Sequence, residues 1–233
     1  MEIRNKVVAI TGGSKGFGKA LAKAFAREGA IVIIGSEKEE ALKNTAQELD
    51  IDYFKLDVRN KDEIEGFANY VKSKHQRIDY WINNAGIQIA PSLAEDVDID
   101  KLHNLYSINF FGSFYGCQTA IRHMKKQGTG TIININSTAG LEGKPNISAY
   151  SSSKFALKGL TESIRKELEG GEIKVLSVHP GGMQTEIYKE KYPDDFGDYM
   201  SVDYATEKVI DNLRLGEPEL DLVIRRPSVE VRS

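Results

Sequence analysis

Cysteine is almost absent from this 233-residue chain: Cys117 stands alone. A single cysteine excludes an intrachain disulfide and suits a reducing compartment, so a cytoplasmic protein is expected. Cys117 lies in an apolar stretch of helical spacing and reads as a core residue rather than a reactive thiol. Long hydrophobic runs are missing as well. No apolar run approaches about 18 residues, the length of a spanning helix, and the polar opening Met1-Glu2-Ile3-Arg4-Asn5-Lys6 argues against a signal peptide. Neither sign of charge is in excess: 31 Lys and Arg against 34 Asp and Glu leave a net charge of −3. Such a balance gives no electrostatic footprint for nucleic acid or an anionic membrane, and neither partner is expected. The four histidines, at 75, 103, 123 and 179, show no metal-ligand spacing, and no metal is expected. Internal repeats, low-complexity tracts and dividing linkers are also missing.

What is present is an ordinary globular composition, 40% hydrophobic and 28% charged. One domain over residues 1–233 is expected, and a domain of this size buries roughly 70–75% of its unfolded surface. Lys6 to Thr11 is a short β-branched run that reads as a buried strand. It breaks into Gly12-Gly13-Ser14-Lys15-Gly16-Phe17-Gly18 and then a helical pattern through Leu21, Ala22, Phe25 and Ala26. Strand, glycine turn and helix form the setting a phosphate-binding loop needs, because a helix N-terminus offers unpaired N–H groups to a pyrophosphate. Further strands are expected at 30–35, within 52–58, at 77–83, before Ser137, at 173–179 and at 220–225. Helices are expected between them, including a long one over about 99–126 interrupted near Asn109 and Gly112. This alternation predicts a doubly wound α/β fold with about seven parallel strands, right-handed crossovers and helices on both faces. Residues 183–200 read as an irregular, aromatic-rich substrate loop.

The chemistry concentrates in Ser148 to Leu168. Apolar residues at 156, 157, 160, 164 and 168 predict an amphipathic helix starting near Ser151. Tyr150 and Lys154 are four apart, hence neighbours on one helix face. A free phenol with a pKa of about 10 is a poor proton shuttle at neutral pH. A cation held beside it favours the phenolate and brings it toward the working range. Ser137, at the end of the apolar run 131–136, is placed to hold a substrate oxygen beside that phenol.

Together these segments resemble the short-chain dehydrogenase/reductase family in its single-domain form, from Lys6 to about Thr185. Thr11-Gly12-xxx-Gly16-x-Gly18 is similar to the family's cofactor turn, with Ser14, Lys15 and Phe17 inside it. Asp57-Val58 is similar to its adenine-side contact and Asn83-Asn84-Ala85-Gly86 to its fourth-strand motif. Asn109, Ser137, Tyr150 and Lys154 fall on its catalytic tetrad. Pro180-Gly181, Met183 and Thr185 match the segment around the nicotinamide and pyrophosphate. The resemblance implies an NAD(P)-dependent oxidoreductase acting on a carbonyl or alcohol. Tyr150 would exchange the oxygen's proton and Ser137 would polarise that oxygen. Lys154, with the positive ring of oxidised cofactor, would lower the Tyr150 pKa; it would also hold the nicotinamide ribose, and Asn109 would anchor a relay water. Asn83 reads mostly as a strand-end cap, whereas Asn84 and Gly86 approach the cofactor.

NADP is favoured over NAD, though NAD stays open. Ser36 ends the second strand where NAD users in the family usually carry an acid, and Lys15 stands where NADP users often place a base. Lys38 could add a second cation, and Glu37 opposes both. The C-terminal Arg225-Arg226-Pro227 departs from the glycine-rich ending of many relatives. Gln88, Leu141, Ile147, Met183 and Tyr188 are the candidate substrate-pocket residues, a mostly apolar set that suits a hydrophobic carbonyl or alcohol. Two alternatives are weighed: a nucleotide-sugar epimerase or dehydratase, for which 233 residues leave no room, and a non-catalytic cofactor-sensing regulator on the same fold. Phe110, Phe111, Phe114, Tyr115 and Ile121, with Phe155, Leu157, Leu160 and Ile164, exceed one core-facing stripe. A homodimer or homotetramer through these two helices is therefore expected.

Overall fold

The structure, a computed structural model, describes residues 2–227; Met1 and residues 228–233 of the expected domain lie outside the described residues. Seven short segments form β1 (Val7–Thr11), β2 (Ile31–Ser36), β3 (Asp52–Lys55), β4 (Tyr80–Asn83), β5 (Gly130–Ile135), β6 (Ile173–Pro180) and β7 (Asp221–Ile224). They pair in the order β3-β2-β1-β4-β5-β6-β7, every pair parallel. Both faces of the sheet are covered, so the central strands read as unbroken apolar runs rather than alternating ones. Every residue of β1 and of β5 is buried.

Within β1, Val8 and Ile10 join one core while Val7 and Ala9 join the other. The first core is completed by α1 (Gly16–Arg27), α2 (Glu39–Leu49) and α7 (Val202–Arg214). The second is completed by α3 (Lys61–His75), α5 (Ser113–Gln127) and α6 (Ser148–Glu167). Parallel neighbours need crossovers, and these helices supply them. Asn60 starts α3 by accepting from the N–H groups of Asp62 and Glu63 at 3.0 and 3.4 Å. Ser201 starts α7 by accepting from the Tyr204 N–H at 3.1 Å.

The interruption expected in the long helix is real. Residues 99–127 form α4 (Ile99–Tyr106), a π-helical segment Ser107–Gly112, and then α5. Such a segment widens one turn and re-aims its side chains. Gly112 is needed there because the helix passes over the turn after β3: a Cβ would stand 2.9 Å from Val58 Cγ2. One boundary differs from expectation. Helix α6 begins at Ser148, not near Ser151, so Tyr150 lies inside its first turn.

A buried polar chain ties α5 and α6 to the sheet. Trp81 Nε1 donates to Asn83 Oδ1 at 2.8 Å, and Asn83 Nδ2 donates to Asn134 Oδ1 at 2.8 Å. Asn134 Nδ2 donates to Thr161 Oγ1 at 2.9 Å, and that hydroxyl donates to the Leu157 carbonyl at 2.8 Å. Cys117 sits between the two asparagines at 3.3 and 3.4 Å. Burial pushes its thiol up to about 12, which keeps it protonated and inert. Each partner satisfied here avoids roughly 1–3 kcal/mol of unpaired burial.

Candidate active site

The order of strands reverses between β1 and β4, and the crevice beyond their C-terminal ends is where open α/β sheets bind ligands. An open cleft of about 280 Å³ occupies that place. Its floor carries Ser137, Tyr150 and Lys154; its sides carry the glycine turn, Ser36, Asp57, Val58 and Asn84 to Gly86; its roof carries Pro180, Gly181, Met183, Thr185 and Tyr188.

Ser137 follows β5 and caps a short 3-10 turn, its Oγ accepting from the Ala139 N–H at 3.1 Å. Its hydroxyl is also hydrogen-bonded to Tyr150. Tyr150 is 9% exposed. Burial pushes the phenol up to about 12, and the Ser137 hydrogen bond pulls it the other way. Lys154, one turn further along α6, donates to the Ile135 carbonyl at 2.9 Å. Its ammonium is 5.8 Å from the centre of the Tyr150 ring, and burial pulls its pKa down to about 8. The lysine is turned to a backbone carbonyl, and desolvation dominates both groups.

Asn109 is fully buried in the π-helical segment. Its side chain clamps the backbone of Ile87, accepting from that N–H and donating to that carbonyl, both at 2.9 Å. It also reaches Ser153 Oγ at 3.3 Å. The amide is thus committed to holding the segment after β4. Its backbone carbonyl accepts from Ser113 Oγ at 3.1 Å.

Residues 6–195 match the short chain dehydrogenase family. The chain belongs to that family. The uncharacterized oxidoreductase YxnA of Bacillus subtilis is 34% identical over 96% of this chain and 66% of its own length. A 3-oxoacyl-(acyl-carrier-protein) reductase FabG of Thermotoga maritima is 36% identical over 83% of this chain and 80% of its own. In the solved structure of a 3-ketoacyl-(acyl-carrier-protein) reductase from Brucella melitensis, complexed with NADH, the same fold is superposable with a TM-score of 0.89 at 24% identity. That match covers 95% of this chain and 97% of the other. As a short-chain dehydrogenase the chain is an oxidoreductase acting on CH–OH or C=O groups.

The residues on the cleft fit the dinucleotide that such a dehydrogenase uses. Lys15 supplies no side-chain cap to α1, so the first N–H groups of that helix remain open beside Gly16, Phe17 and Gly18. Gly16 has φ +53, in the left-handed region that favours glycine, and a Cβ there would lie 3.8 Å from the Thr185 side chain. Gly12 is required by packing: a Cβ would come within 2.8 Å of Ala85 Cα. Asn84 reinforces that approach, its Nδ2 donating to the Thr11 and Gly12 carbonyls at 3.0 Å each. A Cβ on Gly86 would lie 3.8 Å from Lys154 Nζ, so the glycine leaves the ammonium reachable.

Gln88, Met183 and Tyr188 line the cleft, and Leu141 and Ile147 are not among its lining residues. Leu141 ends the 3-10 turn after Ser137, and Ile147 packs behind the Tyr150 ring with Ile89 and Val97. Ile87, Asn136, Glu186 and Ile187 line the cleft without having been singled out from the sequence. Arg59 was also missed. It grips Asp57 at 2.6 Å, Asn104 at 2.9 Å and Glu37 at 3.3 Å, and it holds the Asp57 carboxyl well below the usual carboxylate range. No group of metal-ligating side chains occurs among the described residues. None of their helices is long and apolar enough to cross a membrane.

Proposed function

We propose that this short-chain dehydrogenase transfers a hydride between a nicotinamide cofactor, NADP(H) in preference to NAD(H), and a carbonyl or alcohol carbon, with Tyr150 exchanging the oxygen's proton. The observation that carries this reading is the buried Tyr150 phenol on the cleft floor, hydrogen-bonded by Ser137, with Lys154 one helical turn away. Bound in the cleft, the nicotinamide supplies the hydride or accepts it, and in its oxidised form brings a positive charge. Ser137 holds the substrate oxygen against the phenol, which shortens the proton's path. Tyr150 gives its proton to that oxygen in reduction and takes one in oxidation. Lys154 binds the ribose and stabilises the phenolate when a second cation adjoins it; about three pKa units correspond to roughly 4 kcal/mol. Asn109 orients Ile87 and offers its carbonyl to a relay water.

Several features of the rim support NADP(H). Ser36 ends β2 without a carboxylate and shares a hydrogen bond with Ser14 at 3.0 Å. Glu37 also lines the cleft, but it pairs with Arg59 at 3.3 Å, which offsets its charge. Lys15 and Lys38 both line the cleft. Loop 183–200 is the substrate cover, and its Tyr188 with Ile187, Ile87 and Met183 favours an apolar substrate. A cytoplasmic place suits the lone buried thiol.

A homodimer, or a tetramer built from it, uses the outer face of α5 and α6. The uncovered patch is narrower than the sequence pattern implied. Leu157 and Ile164 are core residues, and Tyr115, Ile121 and Leu160 pack against the second core. Phe111, Phe114 and Phe155 remain exposed. Light scattering is expected to give at least twice 25.9 kDa.

The test of function is NADPH and NADH oxidation over a panel of carbonyls, with calorimetric titration of both cofactors. Turnover with apolar ketones or aldehydes and tighter NADP(H) binding are expected. Cofactor binding with no turnover on any substrate would favour the cofactor-sensing alternative, and tighter NAD(H) binding would overturn the preference.

A further inference from the structure

The ammonium on which an NADP(H) preference would lean is already occupied. Lys15 Nζ lies 2.7 Å from a carboxylate oxygen of Glu186, 171 residues away in sequence. Lys15 belongs to the glycine turn, at the N-terminus of α1. Glu186 opens a 3-10 turn on the roof, immediately after Thr185, whose hydroxyl accepts from the Ile187 N–H and whose side chain rests over Gly16. The pair therefore bridges the two walls of the cofactor cleft at its rim. Lys38 and Lys189 also line that rim, and both add to the positive field at Glu186. The pull of Lys15, with these two, holds the Glu186 carboxyl below the usual carboxylate range, so it is ionised at neutral pH.

We propose that Glu186 is a specificity-determining residue: an internal carboxylate that holds Lys15 in the free protein, must release it when a 2′-phosphate binds, and so penalises NADP(H) relative to NAD(H). This inference rests on the assignment of Lys15 to the 2′-phosphate. Its physical basis is competition for one cation. A phosphate monoester carries about −1.5 to −2 charges at neutral pH against −1 for a carboxylate, so the phosphate wins the exchange but at reduced apparent affinity. A binding-competent state populated only in part weakens apparent affinity by that fraction. The side chains of Lys15 and Glu186 are 46% and 67% exposed, so the pair is a surface ion pair. Such a pair shifts an equilibrium by up to about fivefold. Repulsion between a carboxylate left at the rim and the arriving dianion adds to that. NAD(H), with a neutral 2′-hydroxyl, asks nothing of Lys15 and leaves the bridge intact.

The alternative reading is that the pair merely staples the roof to the turn. In that case its removal loosens the cleft for both cofactors alike. Calorimetric titration separates the two. Glu186→Gln is expected to tighten NADP+ binding about 3- to 10-fold and to change NAD+ affinity by less than twofold, with the difference shrinking as salt is raised. In Lys15→Ala, the further change Glu186→Gln is expected to lose most of this effect, because the cation under competition is gone. Equal shifts for both cofactors, no shift for either, or an undiminished effect in the Lys15→Ala background would overturn the proposal. The two assignments fail separately. Wild-type protein that binds NAD+ more tightly, yet whose Glu186→Gln variant gains selectively for NADP+, contradicts the NADP(H) preference and keeps the role of Glu186. Wild-type protein that prefers NADP+ but is indifferent to Glu186→Gln does the reverse.

Discussion

Ser137, Tyr150 and Lys154 stand on the buried ends of β5 and α6, whereas Glu186, Tyr188 and Glu190 stand on the exposed 183–200 loop above them. The floor is held by main-chain and buried polar bonds: Lys154 to the Ile135 carbonyl, Asn109 to Ile87, and the Asn83–Asn134–Thr161 chain beneath. The roof is anchored at Met200, whose carbonyl accepts from the Gln184 N–H at 3.0 Å and whose N–H donates to the Gly182 carbonyl at 3.1 Å, and is held beyond that by surface contacts. Glu190 accepts from the Ala90 N–H at 3.1 Å, Arg226 pairs with Asp195 at 2.7 Å, and Gln184 reaches the Gly197 carbonyl at 2.9 Å. Tyr188 meets the rings of Phe196 and Tyr199 edge-on at 5.9 and 5.4 Å. Aromatic contacts of this kind contribute about 0.5–1.5 kcal/mol each and surface ion pairs at most about 1 kcal/mol. The floor is thus the more firmly held of the two, as proton and hydride transfer demand. The roof is cheap to open, as substrate entry and release demand.

The sharpest way to break this contrast is at Lys154, which the floor holds at a cost. Lys154→Met is expected to lower kcat by about 10²–10³-fold and to weaken cofactor binding, since one cation serves both proton transfer and ribose contact. A cofactor Kd unchanged in that variant would remove the ribose contact from its role. The next effect lies deeper. Asn134→Ala removes the side-chain oxygen that Asn83 donates to and the amide that donates to the Thr161 hydroxyl, at about 2–4 kcal/mol with the cavity left behind. For a chain of this size that lowers Tm by roughly 5–15 °C. On the roof, Glu190→Gln is expected to move Tm by no more than about 2 °C under the same scan. Equal losses from the two would erase the distinction between floor and roof.

Lys154 also predicts a pH dependence. Its folded pKa is pulled down to about 8 from 10.5, so between these values the unfolded chain binds more protons and stability rises with pH. The burden is fully present below pH 8 and is relieved as pH climbs through this window. Lys154→Met is accordingly expected to be about 1–3 kcal/mol more stable than wild type at pH 7, with the gain fading by pH 10.5, as read from denaturant midpoints. A variant less stable than wild type at pH 7 would mean that the Ile135 hydrogen bond outweighs desolvation. The smallest effect is expected on the roof: Tyr188→Ala should raise KM about tenfold for an apolar substrate, from about 1–2 kcal/mol of lost apolar contact, with kcat within threefold. A fall in kcat with KM unchanged would move Tyr188 into the chemistry.

How far the sequence revealed this contrast follows from the range of the interactions involved. Tyr150 and Lys154 are one helical turn apart, so their neighbourhood needed only the periodicity of α6. The break at Asn109 and Gly112 was visible because a polar residue and a glycine interrupt an apolar helix. Ser36 could be placed because β2 ends within two residues of its β-branched run, Ile31 to Ile34. The Lys15–Glu186 bridge, in contrast, joins residues 171 apart through a loop without periodicity. The places of Leu141 and Ile147 were hidden for a related reason: proximity to Ser137 and Tyr150 in sequence does not say whether a residue lines the cleft. Burial strength was equally hidden. The phenylalanine-rich face is smaller than its pattern because Leu157 and Ile164 point into the sheet.

The central claim, that the floor performs the chemistry through one phenol, is tested most directly by Tyr150→Phe at saturating NADPH and substrate. The ring packs against Ile89, Leu105 and Ala149 with or without its hydroxyl, so cofactor Kd should stay within twofold of wild type. Loss of the proton donor should lower kcat by about 10²–10⁴-fold at neutral pH. A variant that keeps more than about a tenth of wild-type kcat would contradict proton transfer by Tyr150.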